Sequence, residues 1–361
     1  MAMIAEYFQD LALDRRRGCF SLVLKGLLWL LSLLYWLIIA VVSRIRSVRP
    51  VSVSSKVISV GNITWGGTGK TPLVELLGKM LVEVGRKVAV LTRGYGRSSA
   101  ACKAAHCRDA STMGDEPYML SRKFRDIPVI VNSDRAAAAL EAQRANKADT
   151  LILDDGFQQW GLRKDLEIVT IDAMNPFGNG YLIPRGILRE PLRALRRADV
   201  FVLTNVDAPA DMLALKARLA AIQPAGLIVT ARHTPAGLYM LSDPSKECGL
   251  ERLSAQTAAL VCAIGNPRSF RRTVESAKAV VAAEFVFTDH HRYSRADIEF
   301  VAQACRRQNI GAIITTEKDA AKIAPLAAGV EGPDILVLRV RLEIIENEEQ
   351  FSRRLRGIYS A

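Results

Sequence analysis

The sequence predicts an α/β fold: a parallel-sheet domain around a phosphate-type loop, one apolar helix ahead of it, and a second, smaller α/β domain behind it. From residue 57 onward, short apolar runs alternate with helix-length segments, the pattern of βαβ units that bind ligands at the carboxyl ends of strands. The first run leads into a glycine-rich stretch, G-N-I-T-W-G-G-T-G-K-T-P at 61–72. Residues 26–42, by contrast, carry no charge over 17 positions.

That apolar stretch has Arg15, Arg16 and Arg17 before it and Arg44, Arg46, Arg49 and Lys56 after it. It lies near the lower length limit for crossing a bilayer. A cleaved signal peptide is disfavoured, because no small-residue cleavage site follows. A buried core helix is one reading. The favoured one is a membrane anchor, spanning or lying in one leaflet, with Trp29, Tyr35 and Trp36 suited to an interface. Residues 1–46 are therefore expected to form a membrane-associated helical segment.

The rest of the 361-residue chain is divided at 47–230 and 231–361, with the boundary near 228–236. Strands are expected at 57–60, 87–91, 127–131, 150–153, 167–171 and 199–204. A helix is expected over 71–84, where Leu73, Leu76, Leu77, Met80 and Leu81 share a face. A second series follows at 258–264, 283–287 and 312–316, and the late run 335–342 is expected to pair back toward the linker. Half the residues are hydrophobic, which excludes wholesale disorder. The net charge of +12 suits an anionic membrane surface, a phosphorylated substrate or nucleic acid, and by itself does not choose. Six cysteines sit at irregular spacings without C-x-x-C. Cys102 and Cys107 around His106 hint at a metal, but with no second ligand pair, reduced thiols are the expectation.

The loop departs from G-x-x-x-x-G-K-[ST] at its first glycine, where Thr64 stands. It keeps Gly66, Gly67, Thr68 and Gly69 for close backbone approach to phosphates, Lys70 for the outer phosphates and Thr71 for Mg²⁺. Asp154 and Asp155 end a buried strand, as a Mg²⁺-holding element requires or as a turn cap would. G-D-E-P at 114–117 reads either as a helix cap or as a general base for a hydroxyl. Asp289-His-His291 offers a histidine to polarise a carboxylate.

S-V-G-N-I-T-W-G-G-T-G-K-T-P, R-G-Y-G-R, G-D-E-P, L-D-D-G-F-Q, L-R-E-P, F-T-D-H-H and T-T-E-K-D occur in this order. Together they resemble the tetraacyldisaccharide 4'-kinase family of the lipid A pathway. The resemblance implies a P-loop NTPase-type kinase domain joined to a smaller domain by a two-stranded linker. It implies ATP and Mg²⁺ as cofactors, and transfer of the γ-phosphoryl group to an acylated glucosamine disaccharide phospholipid at the cytoplasmic face of a bacterial inner membrane. Membrane lipids are then partners; no nucleic-acid or protein partner is inferred. Residue by residue, Asp115 matches the general base and His290 its partner histidine, with Lys70 on the phosphates. Thr71, Glu116 and Asp155 fall on the metal side, Asp154 less clearly so, and Arg93 and Tyr95 on the substrate side. A membrane-associated P-loop ATPase of the partitioning type is the alternative; its signature lysine is replaced here by Trp65. A GTPase reading rests on T-N-V-D at 204–207, which lacks the motif's lysine.

Overall fold

The computed structural model describes residues 7, 10–94, 113–206, 211–254, 256–289 and 291–360. Its elements run α1 (Cys19–Val48), β1 (Lys56–Asn62), α2 (Lys70–Glu83), β2 (Val88–Thr92), α3 (Asp115–Lys123), β3 (Val129–Val131), α4 (Arg135–Asn146), β4 (Thr150–Asp154), β5 (Leu166–Asp172), β6 (Val200–Thr204) and α5 (Met212–Ile222). They continue with β7 (Leu227–Met240), β8 (Asp243–Cys248), β9 (Thr257–Cys262), α6 (Pro267–Ser276), β10 (Val280–Val286), α7 (Arg295–Arg307), β11 (Ala312–Thr316), α8 (Glu317–Ala327), β12 (Asp334–Glu346) and α9 (Glu348–Gly357).

The buried strands are the apolar runs of the sequence, fully covered as a parallel sheet requires. β1, β2, β4 and β6 are buried along almost their whole length. Strand order in the first half is β3-β2-β4-β1-β5-β6-β7, and in the second β10-β9-β11-β12. β3 keeps only Val129–Val131 of the expected 127–131, because Pro128 has no N–H to give the ladder. The halves are stitched by β7 and β12, antiparallel from Leu336↔Met240 to Glu346↔Thr230. Residues 228–236, where the boundary was expected, thus lie inside a continuous strand. The run 335–342 does pair back, as β12 on β7.

Helices cover both faces. Leu73, Leu77 and Leu81 of α2 pack with Leu120 of α3 and with Phe351 and Leu355 of α9. Ala138, Ala139 and Ala142 of α4 cover the opposite face with Leu151 and Leu153. α4 begins at Asp134, whose carboxylate accepts from Ala136 N–H and Ala137 N–H, and its small side chains suit close helix–sheet approach. The last helix, α9, therefore packs on the first half although it follows the second in sequence.

α1 is inverted relative to a helix of a water-soluble core. Its protein-facing stripe is partly polar: Ser21, Lys25, Leu28, Ser32 and Tyr35, spaced three and four apart. Leu28 and Ser32 are buried, whereas Phe20, Leu22, Val23, Leu27, Leu30, Leu34, Leu37, Ile38 and Val41 are exposed. Among the described residues this is the helix long and apolar enough to cross a membrane by length and composition.

Candidate active site

The loop of residues 63–69 joins β1 to α2. Gly69 caps α2 in the left-handed region at φ 82°, a conformation that glycine adopts without strain. Lys70, Thr71 and Pro72 then form the first turn, where the missing proline N–H costs nothing. The strand ends beneath the loop are tied to it. Thr68 Oγ1 lies 2.7 Å from Thr170 Oγ1, and Thr204 Oγ1 donates to the Thr68 carbonyl at 3.1 Å.

The two carboxylates after β4 have different surroundings. Both oxygens of Asp155 accept from Arg189 Nη1, at 2.8 and 3.0 Å, and Lys70 Nζ stands 3.5 Å away. Burial works against ionisation of Asp155, yet Lys70 and Arg189 outweigh it and hold the carboxyl below its usual range. Asp154 Oδ2 accepts from Thr92 Oγ1 at 3.3 Å. Its Oδ1 is buried without a hydrogen-bond partner among the described residues. Burial, with Glu116 and Asp155 close by, pushes the Asp154 carboxyl up to about 7. An unpaired carboxylate oxygen beside further acidic groups is the donor chemistry that a Mg²⁺ ion takes, so these residues fit the cation.

Arg189 comes from the L-R-E-P segment. The segment runs beside the phosphate loop: Arg189 N–H donates to the Ile63 carbonyl at 2.8 Å and Trp65 N–H to the Ile187 carbonyl at 2.7 Å. Gln158 of D-D-G-F-Q-Q donates to the Asn62 carbonyl and to Glu190 Oε1. Glu190 in turn accepts from Arg197 through both oxygens. The sequence motif was visible, but its role as a strap around the loop was not.

The second half meets the loop directly. A Cβ on Gly265, between β9 and α6, would fall 2.6 Å from Gly67 N. Asn266 Nδ2 donates to Asp172 Oδ2 at 2.8 Å, and Ser269 Oγ bonds to Asn205 Oδ1. Lys318 of T-T-E-K-D lies 3.4 Å from Glu116 and 3.2 Å from Asp289. Burial opposes its charge, but the two carboxylates prevail and raise its pKa. Beside Gly69 and His233 opens a cavity of about 450 Å³, lined by Asn205, His233, Thr234, Ser269, Arg272 and Thr273 among others.

Of the expected site residues, Thr64, Gly66, Gly67, Thr68, Gly69, Lys70, Thr71 and Asp155 stand together at the loop, with Glu116 in electrostatic reach of Asp154. Arg93 is exposed just past β2. Tyr95, His290 and the side chain of Asp115 lie outside what the structure describes, as do Cys102, His106 and Cys107. Asp115 opens α3. His291 is engaged elsewhere: its Nε2 is 3.3 Å from Asp297 Oδ2 and its ring stacks on Phe287 at 4.7 Å. One further group was missed. Arg135 is 3 % exposed, is held down to about 10 by burial against the opposing pull of Asp154 and Asp155, and keeps Nε and Nη2 without a partner among the described residues.

A family profile described as Tetraacyldisaccharide-1-P 4'-kinase matches residues 24–359. The tetraacyldisaccharide 4'-kinase of Halothermothrix orenii is 40% identical over 294 residues, covering 77% of this chain and 76% of its own. That of Anaeromyxobacter dehalogenans is 38% identical over 301 residues, covering 81% and 79%. A crystal structure of the apo form of LpxK from Aquifex aeolicus, in complex with ATP, superposes with a TM-score of 0.70 at 26% identity, covering 93% of this chain and 99% of that one.

Proposed function

The chain belongs to the tetraacyldisaccharide 4'-kinase family, and from that premise we propose how its own residues carry the reaction, transfer of the ATP γ-phosphoryl group to the 4'-hydroxyl of a tetraacyldisaccharide 1-phosphate. The partitioning-type ATPase reading falls away with the family match.

The observation that carries the proposal is the Lys70–Asp155–Arg189 cluster at the mouth of the phosphate loop. Phosphoryl transfer asks mainly for positioning and charge neutralisation. The loop amides and Lys70 face the outer phosphates. Asp155, fixed by Arg189, holds Lys70 from behind and keeps it from swinging away when the site is empty. Thr71, Glu116 and Asp154 would hold Mg²⁺. Bound there, the cation would neutralise negative charge on the outer phosphates. Asp155, assigned to the metal on sequence grounds, has both oxygens engaged by Arg189, so Asp154 is the better direct ligand.

Asp115 accepts the proton of the acceptor hydroxyl and His290 stabilises it, with Arg93 and Tyr95 on the sugar side. Commitment of His291 to Asp297 and Phe287 supports His290 in that role. The cavity beside Gly69 takes the nucleoside end of ATP. We divide the chain near 230 into a kinase unit and a smaller unit that meets the nucleotide through 263–266. The exposed apolar face of α1 lies in the bacterial inner membrane, with the site at its cytoplasmic surface, where the acyl chains and the phosphate of the substrate are both accommodated.

The test is transfer of labelled γ-phosphate from ATP to the tetraacyldisaccharide 1-phosphate. Asp115→Ala is expected to lower kcat by about 10²–10⁴-fold, and Lys70→Ala by about 10²–10³-fold. Full activity in either variant would remove that residue from the mechanism.

A further inference from the structure

α1 is the element to which phosphoryl transfer assigns no chemical task. Yet Tyr35, on its protein-facing stripe, donates its hydroxyl to the Arg189 carbonyl at 3.0 Å. From that residue the contacts run straight into the site. The Arg189 N–H holds the Ile63 carbonyl at the entry of the phosphate loop, and its guanidinium holds both oxygens of Asp155, which faces Lys70. One turn earlier on α1, Ser32 Oγ accepts from Arg185 N–H at 3.0 Å and lies 2.9 Å from the Leu182 carbonyl. Arg185 is anchored in turn by both oxygens of Asp14. The strap of residues 182–190 is therefore clamped between α1 and the loop.

We propose that Tyr35 is a positioning residue for phosphoryl transfer: its hydroxyl holds the Arg189 backbone, and through Arg189 it aligns Asp155 and Lys70 with the phosphates. α1 is then a wall of the active site as well as an anchor. A helix that only binds lipid would place no demand on that hydroxyl, since its lipid-facing residues lie on the other side. The inference rests on reading Lys70 and Asp155 as phosphate-side groups.

The experiment uses the full chain in phospholipid vesicles with ATP and the tetraacyldisaccharide 1-phosphate. Tyr35→Phe keeps the ring and removes the hydroxyl. A lost hydrogen bond to a partly buried carbonyl in a positioning chain is expected to lower kcat about tenfold. The KM for the lipid acceptor, vesicle partition and Tm should stay close to wild type. On an Arg189→Lys background the same change should add less than twofold, because coupled residues are non-additive. A kcat within twofold of wild type overturns the proposal. So does a raised acceptor KM at constant kcat, or full additivity with Arg189→Lys. Asp155→Asn, run in parallel, separates the two layers: full activity there sinks the phosphate-side reading, whereas loss there with an unaffected Tyr35→Phe sinks only the coupling.

Discussion

Gly265 shows how little space separates the second half from the phosphate loop. A Cβ there would lie 2.6 Å from Gly67 N and 3.2 Å from its Cα, both backbone atoms that have no rotamer to change. Gly265→Ala should push residues 263–266 away from the loop and raise the KM for ATP by about tenfold or more. ATP titration of the variant reads this directly, and an unchanged KM would mean that this approach is not kept in the nucleotide complex. The paired histidines allow a second discrimination. His291, stacked on Phe287 and bonded to Asp297 at the start of α7, has a structural task. His291→Ala is expected to cost about 1 kcal/mol of stability and less than tenfold in kcat, whereas His290→Ala should cost about 10²–10⁴-fold. A reversed ranking would exchange the two assignments.

Among elements, Lys123 clasps three helices. It ends α3 and pairs at 2.6 Å with Glu75 of α2 and at 2.7 Å with Glu317 of α8, joining G-D-E-P, the phosphate-loop helix and T-T-E-K-D. Burial opposes charge on Lys123 and Glu75, but attraction to their partners raises the pKa of Lys123 and lowers that of Glu75. The lowered Glu75 contributes stability that is complete above its unfolded value of 4.5 and lost as pH falls through the folded one. The raised Lys123 contributes below 10.5 and loses its share only as pH rises through its folded value. The clasp is thus intact across neutral pH. Lys123→Met should cost about 2 kcal/mol, between the exposed and buried limits for ion pairs, and flatten the acid limb of a Tm-against-pH curve. An unchanged acid limb would show that Glu75 does not report the clasp. The elements themselves were legible where burial is two-sided: β4 and β6 carry unbroken apolar runs at 151–153 and 200–203, and β1 is interrupted only by Ser59 between residues 57 and 60. β7 was not, because its second part is a ribbon whose Arg232 and Ala236 face solvent, and no periodicity marks it. The site divides the same way. Lys70 and Thr71 are local in sequence, whereas Arg189 bonds to Asp155 across 34 positions and Asn266 to Asp172 across 94. Such pairings are set by topology, which a linear motif does not record.

At the scale of the molecule, the protein-facing stripe of α1, the phosphate loop and the second half converge on one site. The crossing of the chain between halves carries a different consequence. β7 lies beside β6 in its first part and pairs with β12 along the rest, within one continuous sheet. β12 returns, and α9 then closes on the core that holds Leu73 and Leu77. Tyr359, just beyond α9, bonds to Thr150 of β4 at 2.9 Å. A cut near 230 would therefore split a strand and strip the core of the first half of Leu342, Phe351 and Leu355, whereas the core clusters of the second half lie wholly after residue 237. Calorimetry of the intact chain should show one cooperative melting transition rather than two, and the first half expressed alone should stay unfolded until the second is supplied.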